Sequence, residues 1–169
     1  MTTMTTAHPR RPRLAHLLPI AAVVGLLVSL VNLVPAQAAT WVPYTEDLSS
    51  AEEAKDPDGN GGEVGLKHCY SGGGCVQDYV AVFYDNGEML KVYDNLRDGH
   101  ATKVQVSVLN RNGTSVDTDT YYVGSSESGK VFDLGTPDGS GDIPENYTVK
   151  IKVCINEVGM CTNYVTYRA

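Results

Sequence analysis

From residue 63 onward, apolar and polar residues alternate in short runs that are separated by turn residues. In TKVQVSVLN, valines occupy every second position (Val104, Val106 and Val108) with polar residues between them. The segment NYTVKIKVCIN repeats the pattern over the apolar positions Tyr147, Val149, Ile151, Val153 and Ile155. A period of two residues predicts strands that bury one face of a sheet and expose the other.

Turn signals connect the predicted strands. Asn86-Gly87 and Asn112-Gly113 are strong hairpin signals, because Asn and Gly both adopt a positive φ at low cost. The remaining runs give about seven to nine short strands at intervals of about 8 to 12 residues, a spacing typical of sandwiches and small barrels. The sequence therefore predicts an all-β fold, an antiparallel sandwich of the Ig-like or a related Greek-key type. The absence of helix–strand alternation excludes an α/β fold.

The first 38 residues have the pattern of a signal helix. Three arginines precede a long apolar run, and Ala36 and Ala38 fit the small-x-small rule for cleavage. The alternative is an uncleaved anchor, since the run approaches the roughly 20 residues that span a bilayer. Gly25 and Pro35 interrupt the run. We therefore expect cleavage after Ala38, secretion to the extracellular space, and no stable membrane span afterwards.

The rest of the chain divides into two segments. Residues 39–62 are expected to form a flexible lead-in with a possible short helix, because serines precede Glu52 and Glu53 in DLSSAEEAK. Residues 63–169 are expected to form the β-sandwich domain. About 131 residues after cleavage are enough for one domain with one core.

Charge excludes one class of partner. The whole chain has a formal net charge of −7, and all 20 acidic residues lie beyond Ala38, whereas three of the 13 basic residues precede it. The cleaved chain would hold 10 basic and 20 acidic residues and carry −10. A chain with this charge and no basic stripe is repelled by phosphate backbones, so we expect no nucleic-acid partner.

The four cysteines all follow the leader. Outside the cytoplasm an even number of thiols predicts disulfides, and four cysteines allow three pairings. The short spacings favour the local bridges Cys69–Cys75 and Cys154–Cys161. The zinc alternative fits poorly, because the gaps of five and six residues exceed the usual C-x₂₋₄-C spacing. Cys154 lies opposite the apolar stripe of its strand, so its bridge is expected to pin a terminal hairpin from the solvent side.

A second candidate site is a calcium loop. In DPDGNG, Asp56, Asp58 and Asn60 with Gly61 reproduce the first half of the pattern D-x-[DN]-x-[DN]-G. Lys67 stands at the position where the full loop has a bidentate Glu. The alternative is a solvated acidic loop, so calcium is a possible cofactor and no other is expected. A weaker variant contains Asp138, Ser140 and Asp142.

No residue pattern predicts catalysis. Only His68 and His100 follow the leader, and neither has an evident nucleophile beside it, so each is interpreted as a lone surface or strand-end histidine. The carboxylate pairs Asp94/Asp98 and Asp117/Asp119 could serve acid–base hydrolysis. The first reads instead as a turn and the second as the exposed face of a strand. We expect no enzymatic activity.

Tyrosines are the remaining candidates for binding. The chain has ten tyrosines and one tryptophan, Trp41. Tyr121, Tyr122, Tyr164 and Tyr167 could form a patch that contacts sugar or protein, although sandwich cores and edges also use tyrosine.

The segment VYDNLRDGHATKVQVSV and the ending VKIKVCINEVGMCTNYVTYRA resemble small secreted proteins of actinobacteria. Val92, Asp94, Asp98 and Gly99 match a V-x-D-x-x-x-D-G segment that opens a long strand in that group. The ending matches a strand with V-C, a short loop, a second Cys and an aromatic finish. The resemblance covers about the last 80 residues. It implies secretion and a β-sandwich, and it brings no assigned activity or catalytic residue.

We therefore expect a secreted, non-catalytic binding module whose partner is an unknown extracellular protein or cell-wall component. The alternative is a small inhibitor of a secreted hydrolase that presents a disulfide-closed loop, either CYSGGGC or CINEVGMC. The second loop offers Val158 and Met160 as apolar anchors beside Glu157.

Overall fold

The computed structural model describes residues 40–48, 59–124, 129–135 and 142–169. Within these ranges the chain forms nine strands and no helix. The strands are β1 Thr40–Asp47, β2 Gly62–Cys69, β3 Cys75–Tyr84, β4 Met89–Asp94, β5 Ala101–Leu109, β6 Ser115–Gly124, β7 Lys130–Asp133, β8 Thr148–Ile155 and β9 Val165–Arg168. The predicted signal helix of residues 1–38 and the possible short helix after Ser50 lie outside the described residues.

The strands form two antiparallel sheets. One sheet has five strands in the order β1-β2-β3-β4-β7, and the other has four in the order β6-β5-β8-β9. The chain leaves the first sheet after β4, forms the β5–β6 hairpin in the second, and returns as β7 beside β4. Such a return connection is typical of Greek-key sandwiches. The prediction of an antiparallel sandwich is confirmed.

The predicted alternation builds the core between the sheets. In β5 and β8 the apolar positions are buried, and the pairing places Val104 opposite Val153 and Val106 opposite Ile151. The opposing layer comes from β2, β3 and β4, whose inward residues include Leu66, Phe83 and Leu90. Each fully buried side chain of this kind contributes about 1.5–3 kcal/mol to folding.

Both predicted hairpin turns are present. Asn86-Gly87 lies in the turn between β3 and β4, where Gly87 has a φ of 81° and Tyr84 pairs with Met89. Asn112-Gly113 lies in the turn between β5 and β6, where Gly113 has a φ of 79°. The side-chain oxygen of Asn110 accepts hydrogen bonds from two backbone N–H groups within this second turn.

The sheet begins earlier than the sequence predicts. β1 lies within the segment expected to be a flexible lead-in, and it pairs with β2 along its whole length. Pro43 obscured the strand signal, yet proline is tolerated here because β1 is an edge strand. Trp41 packs against the core between the sheets, and Tyr44 lies on the outer face of the five-stranded sheet.

The interpretation of β6 is corrected in one respect. Asp117 and Asp119 pair with Val108 and Val106, so they point to the core side and are half-buried. The exposed positions are instead Thr118 and Thr120. Because β6 is an edge strand, its inward positions lie at the margin of the core and tolerate polar residues.

We expect Gly65→Ala to destabilise the sheet. A Cβ at this position would lie 2.5 Å from the Tyr79 carbonyl oxygen and 2.9 Å from Cε1 of Tyr44. Relieving such an overlap typically costs about 1–3 kcal/mol. Urea unfolding measures the loss, and Gly124→Ala, which would meet no atom within 4 Å, is the matched control. Equal stability of both variants would contradict this account of the Tyr44–Gly65 packing.

Candidate functional site

Both local disulfides that the sequence favours are present, Cys69–Cys75 and Cys154–Cys161. The first closes the β2–β3 hairpin, and the second closes the turn that follows β8. Both disulfides lie at the same end of the sandwich. The start of β3 lies beside the end of β4, and the end of β8 lies beside the start of β5. Since β4 is followed directly by β5 in the chain, these strand ends share one end of the fold. Cys154 has an outward position on β8, as the sequence predicts, and the residue is nonetheless buried.

The loop between Cys154 and Cys161 has one exposed apolar residue at its tip. Val158 is 52% exposed, whereas Met160 packs against the core. Glu157 holds a φ of 68°, and the Ile155 N–H donates to the Met160 carbonyl across the turn. Of the two apolar anchors expected from the sequence, the structure therefore leaves only Val158 at the surface.

The outer face of the four-stranded sheet is rich in cations. Lys103 on β5 and Lys150 and Lys152 on β8 occupy its outward positions, and Arg168 on β9 has the same parity. The outward positions of these four strands hold no carboxylate. The outward strand positions of this sheet thus carry only positive charge, on a chain whose net charge is −7. The lysines come from two separate strands, so the sequence shows no basic stripe although the structure forms a basic face. The Glu157 carboxylate, in the turn after β8, lines a depression together with Lys103.

Two exposed tyrosine rings border this lysine face. Tyr122 on β6 is 50% exposed, and Tyr164, just before β9, is 48% exposed. The Nζ of Lys103 lies 5.9 Å from the Tyr122 ring centroid, and the Nζ of Lys152 lies 5.5 Å from the Tyr164 centroid. The rings thus stand at the margins of the sheet and the lysines between them. We call Lys103, Lys150, Lys152, Tyr122 and Tyr164 the lysine–tyrosine face.

The four tyrosines singled out from the sequence do not form one patch. Tyr121 and Tyr167 point inward, where Tyr121 stacks on Phe132 at 4.3 Å and Tyr167 packs near Phe83 at 5.7 Å. Burial raises the pKa of both phenols. Only Tyr122 and Tyr164 remain available to a partner.

The outer face of the five-stranded sheet has a different character. Tyr44, Val80 and Val82 form a small apolar cluster there, and Tyr84 and Tyr93 pack against it. A groove of about 410 Å³ runs over this cluster. The outward charges of this sheet are mixed, since Glu46 and Glu63 lie near lysines of β2 and β4. The groove therefore shows no preference for a charged partner of one sign.

The end of the sandwich also contains a buried histidine cluster that the sequence does not predict. His68 is buried, and its Nδ1 contacts the carboxylate of Asp78, which is itself 1% exposed. The His68 backbone N–H donates to the same oxygen at 3.2 Å. Nε2 of His68 contacts the hydroxyl of Tyr70. His68 was interpreted as a lone surface or strand-end histidine. It does lie near the end of β2, but it is buried and has two side-chain partners, so it is neither lone nor at the surface.

Local structure explains how the cluster forms. The β2–β3 register shifts between Leu66 and Lys67, which leaves Asp78 as an extra residue whose side chain points inward. Trp41 covers the imidazole, with ring centroids 5.5 Å apart. The His68/Tyr70 spacing across Cys69 is a signal visible in the sequence, whereas the bulge that brings in Asp78 is not.

The β4–β5 loop places the pair Asp94/Asp98 beside this cluster. The Asp94 carboxylate accepts hydrogen bonds from the backbone N–H groups of Leu96 and Thr102, both at 3.2 Å. The Asp98 carboxylate accepts a hydrogen bond from the side-chain hydroxyl of Tyr79 at 2.5 Å. The pKa of Asp94 is raised to about 6, chiefly by burial. The two N–H donors act in the opposite direction, and the negative charges of Asp98 and Asp78 add to the rise. Each carboxylate therefore has a clear structural use in holding the loop.

The remaining sequence candidates do not come together. His100 is half-buried, and its backbone N–H donates to Asp98 at 2.9 Å. Asp56 and Asp58 of the predicted calcium loop lie outside the described residues, and Asn60 forms a backbone bridge with Arg168. Asp142 is exposed, and its partners Asp138 and Ser140 also lie outside those ranges. Within the described ranges, no group of three His, Cys, Asp or Glu residues is placed to hold a metal ion.

Comparisons with known proteins give no relative: no family model, curated protein or solved structure matches the chain. In the part of the chain that the structure describes, no helix is long and apolar enough to cross a membrane.

We expect Asp94 to make stability depend on pH. Its pKa is raised from 3.8 to about 6, so the native state holds this proton more tightly than the unfolded state. Stability should therefore fall as pH rises from about 4 to about 6 and level off above that range. Urea unfolding across this range tests the slope, which Asp94→Asn should reduce.

A direct titration provides the control. In carboxyl-detected NMR, Asp98→Asn should lower the midpoint of Asp94, because it removes a neighbouring negative charge. An Asp94 midpoint near the ordinary value in the native protein would contradict the burial argument.

Proposed function

We propose that the protein is a secreted, non-catalytic binding module that contacts an anionic component of the cell wall through its lysine–tyrosine face. The observation that carries the proposal is the segregation of charge. Three lysines and no carboxylate occupy the outward positions of one sheet, on a chain with 20 acidic residues. Such a face attracts an anion, whereas the mixed charges on the outer face of the other sheet favour neither sign.

The shape of the face supports an extended partner. Neighbouring strands are about 4.8 Å apart. The register places Lys103 opposite Cys154 and Lys152 opposite Gln105, so the lysines of β5 and β8 form a diagonal band between the two marginal rings. Exposed tyrosine rings stack on apolar faces of ligands and keep their hydroxyls in water. A polymer that carries carboxylates or phosphates at intervals can use both features at once.

Secretion is supported by two independent features. Both pairs of cysteines form disulfides, which persist in oxidising compartments outside the cytoplasm. Residues 1–38 also have the three-part pattern of a cleavable signal peptide. Under this proposal the mature chain begins at Ala39.

A second candidate function is inhibition of a secreted hydrolase. It is favoured by Val158, which is exposed at the tip of a turn that Cys154 and Cys161 close. A rigid loop with an apolar tip loses little conformational entropy when it enters a pocket. The Cys69–Cys75 loop fits this function less well, because three of its five residues, Gly72, Gly73 and Gly74, have no side chain that could contact a pocket.

We expect Lys103→Glu combined with Lys152→Glu to weaken retention on isolated cell walls at least about tenfold, which corresponds to ~1.4 kcal/mol. Co-sedimentation with wall material measures the effect. The matched control is Lys67→Glu with Lys91→Glu, since these lysines also stand over tyrosine rings, at 5.4 and 4.5 Å, but on the other sheet.

Both double variants change the net charge equally, so a general charge effect would weaken them alike and would contradict the proposal. Wild-type retention should also fall with added salt, because the screening length shortens from about 10 Å at 0.1 M to about 3 Å at 1 M.

The second candidate predicts that the protein titrates one secreted hydrolase to zero activity near equimolar ratio. Val158→Asp should abolish inhibition, because it places a charge in an apolar pocket. Val131→Asp is the control, since Val131 is 57% exposed on β7, in the other sheet. No inhibition across a panel of secreted proteases and glycosidases would exclude this function for the enzymes tested.

A further inference from the structure

We propose that Tyr70 is an activated nucleophile that accepts an acyl group from an ester, with His68 as its general base and Asp78 as the residue that positions His68. This site lies on the five-stranded sheet and is distinct from the lysine–tyrosine face. It rests on the three hydrogen-bonded side chains Asp78, His68 and Tyr70.

The protonation states follow from the partners. The carboxylate of Asp78 only accepts hydrogen bonds, so in the neutral imidazole of His68 it holds the proton on Nδ1. Nε2 is then the acceptor for the Tyr70 hydroxyl. A nucleophile on a base, with the base oriented by a buried third group, is the arrangement that activates hydroxyl groups. A phenol, with a pKa of about 10, loses its proton more easily than an aliphatic alcohol.

The surroundings of Tyr70 leave it open to a substrate. Its residue is 53% exposed, although its hydroxyl contacts the buried histidine. The Tyr70 N–H donates to the Gly74 carbonyl at 3.2 Å, and the Gly73 N–H donates to the Tyr70 carbonyl at 3.3 Å, so the backbone is held in place. The neighbouring residues Gly72, Gly73 and Gly74 have no side chains, and a Cβ added at any of them would meet no atom within 4 Å. They therefore leave the approach to Tyr70 clear.

The proposed step is balanced within these groups and the ester. The Tyr70 oxygen attacks the carbonyl carbon, and its proton passes to Nε2 of His68. The carbon–oxygen bond to the leaving alcohol breaks, and the proton on Nε2 passes to that oxygen. The products are an acyl ester of Tyr70 and the free alcohol, one acyl group per chain.

The experiment uses p-nitrophenyl acetate as the ester and the intact protein. Release of p-nitrophenol gives the rate, and peptide mapping by mass spectrometry gives the position of the acetyl group. Tyr122 and Tyr164 are internal controls, because they are 50% and 48% exposed but stand beside lysines rather than beside a histidine. We expect Tyr70 to be acetylated at least about a hundredfold faster than either control near neutral pH, the low end of general-base effects. Equal rates at the three tyrosines would overturn the proposal.

Two further measurements test the role of His68. His68→Gln keeps a polar side chain but provides no base, so labelling of Tyr70 should fall to the rate of Tyr122; preferential labelling that persists would overturn the proposal.

The second measurement needs no variant. An unassisted phenol reacts as its phenolate, so its rate rises about tenfold per pH unit below pH 9. The Tyr70 rate should instead rise less steeply, because His68 removes the proton during the attack and the phenol need not ionise first. A rise of about tenfold per pH unit at Tyr70 would overturn the proposal. The titratable groups around the imidazole are Asp78 and Tyr70, with Tyr79, Asp94 and Asp98 next to them.

Discussion

The register between β5 and β8 is the constraint on which the rest of this structure depends. It sets Val104 opposite Val153 and Val106 opposite Ile151, and so makes one continuous apolar layer. Because side chains alternate along a strand, a slip by one residue would expose that layer and bury the lysines. The same register therefore determines the core and, as its complement, the outward row that contains Lys103 and Lys152.

A β-bulge in the five-stranded sheet produces the buried histidine cluster. The bulge in the β2–β3 pairing turns Asp78 inward, where it meets His68 and both are withdrawn from water. A buried carboxylate is tolerated only when hydrogen bonds replace its hydration, and Asp78 receives them from the backbone and the ring of His68. The adjacent Cys69–Cys75 bridge keeps the hairpin end, and thus Tyr70, close to this pair.

The two proposals concern different parts of the sandwich, the lysine–tyrosine face on one sheet and the histidine cluster on the other. The lysine–tyrosine face suits reversible contact with an anionic polymer, since its charges lie at the surface and are screened by salt. The histidine cluster is compact, largely buried and connected to the surface through one hydroxyl. Both disulfide-closed turns lie at the end that contains this cluster, so the two cross-links and the histidine cluster occupy the same end of the fold.

The sequence by itself determined the all-β sandwich, both Asn-Gly hairpins and the favoured cysteine pairing, because alternation, turn chemistry and short loops are local properties. It could not place β1 in the sheet, where Pro43 conceals an edge strand that only pairing with β2 reveals. Tertiary structure alone decided that Tyr121 and Tyr167 point inward while Tyr122 and Tyr164 face solvent, and that Asp78 reaches His68. The physical reason is that the extra residue of a β-bulge reverses the side of the sheet to which every later side chain of that strand points. The position of the bulge depends on the pairing with the neighbouring strand.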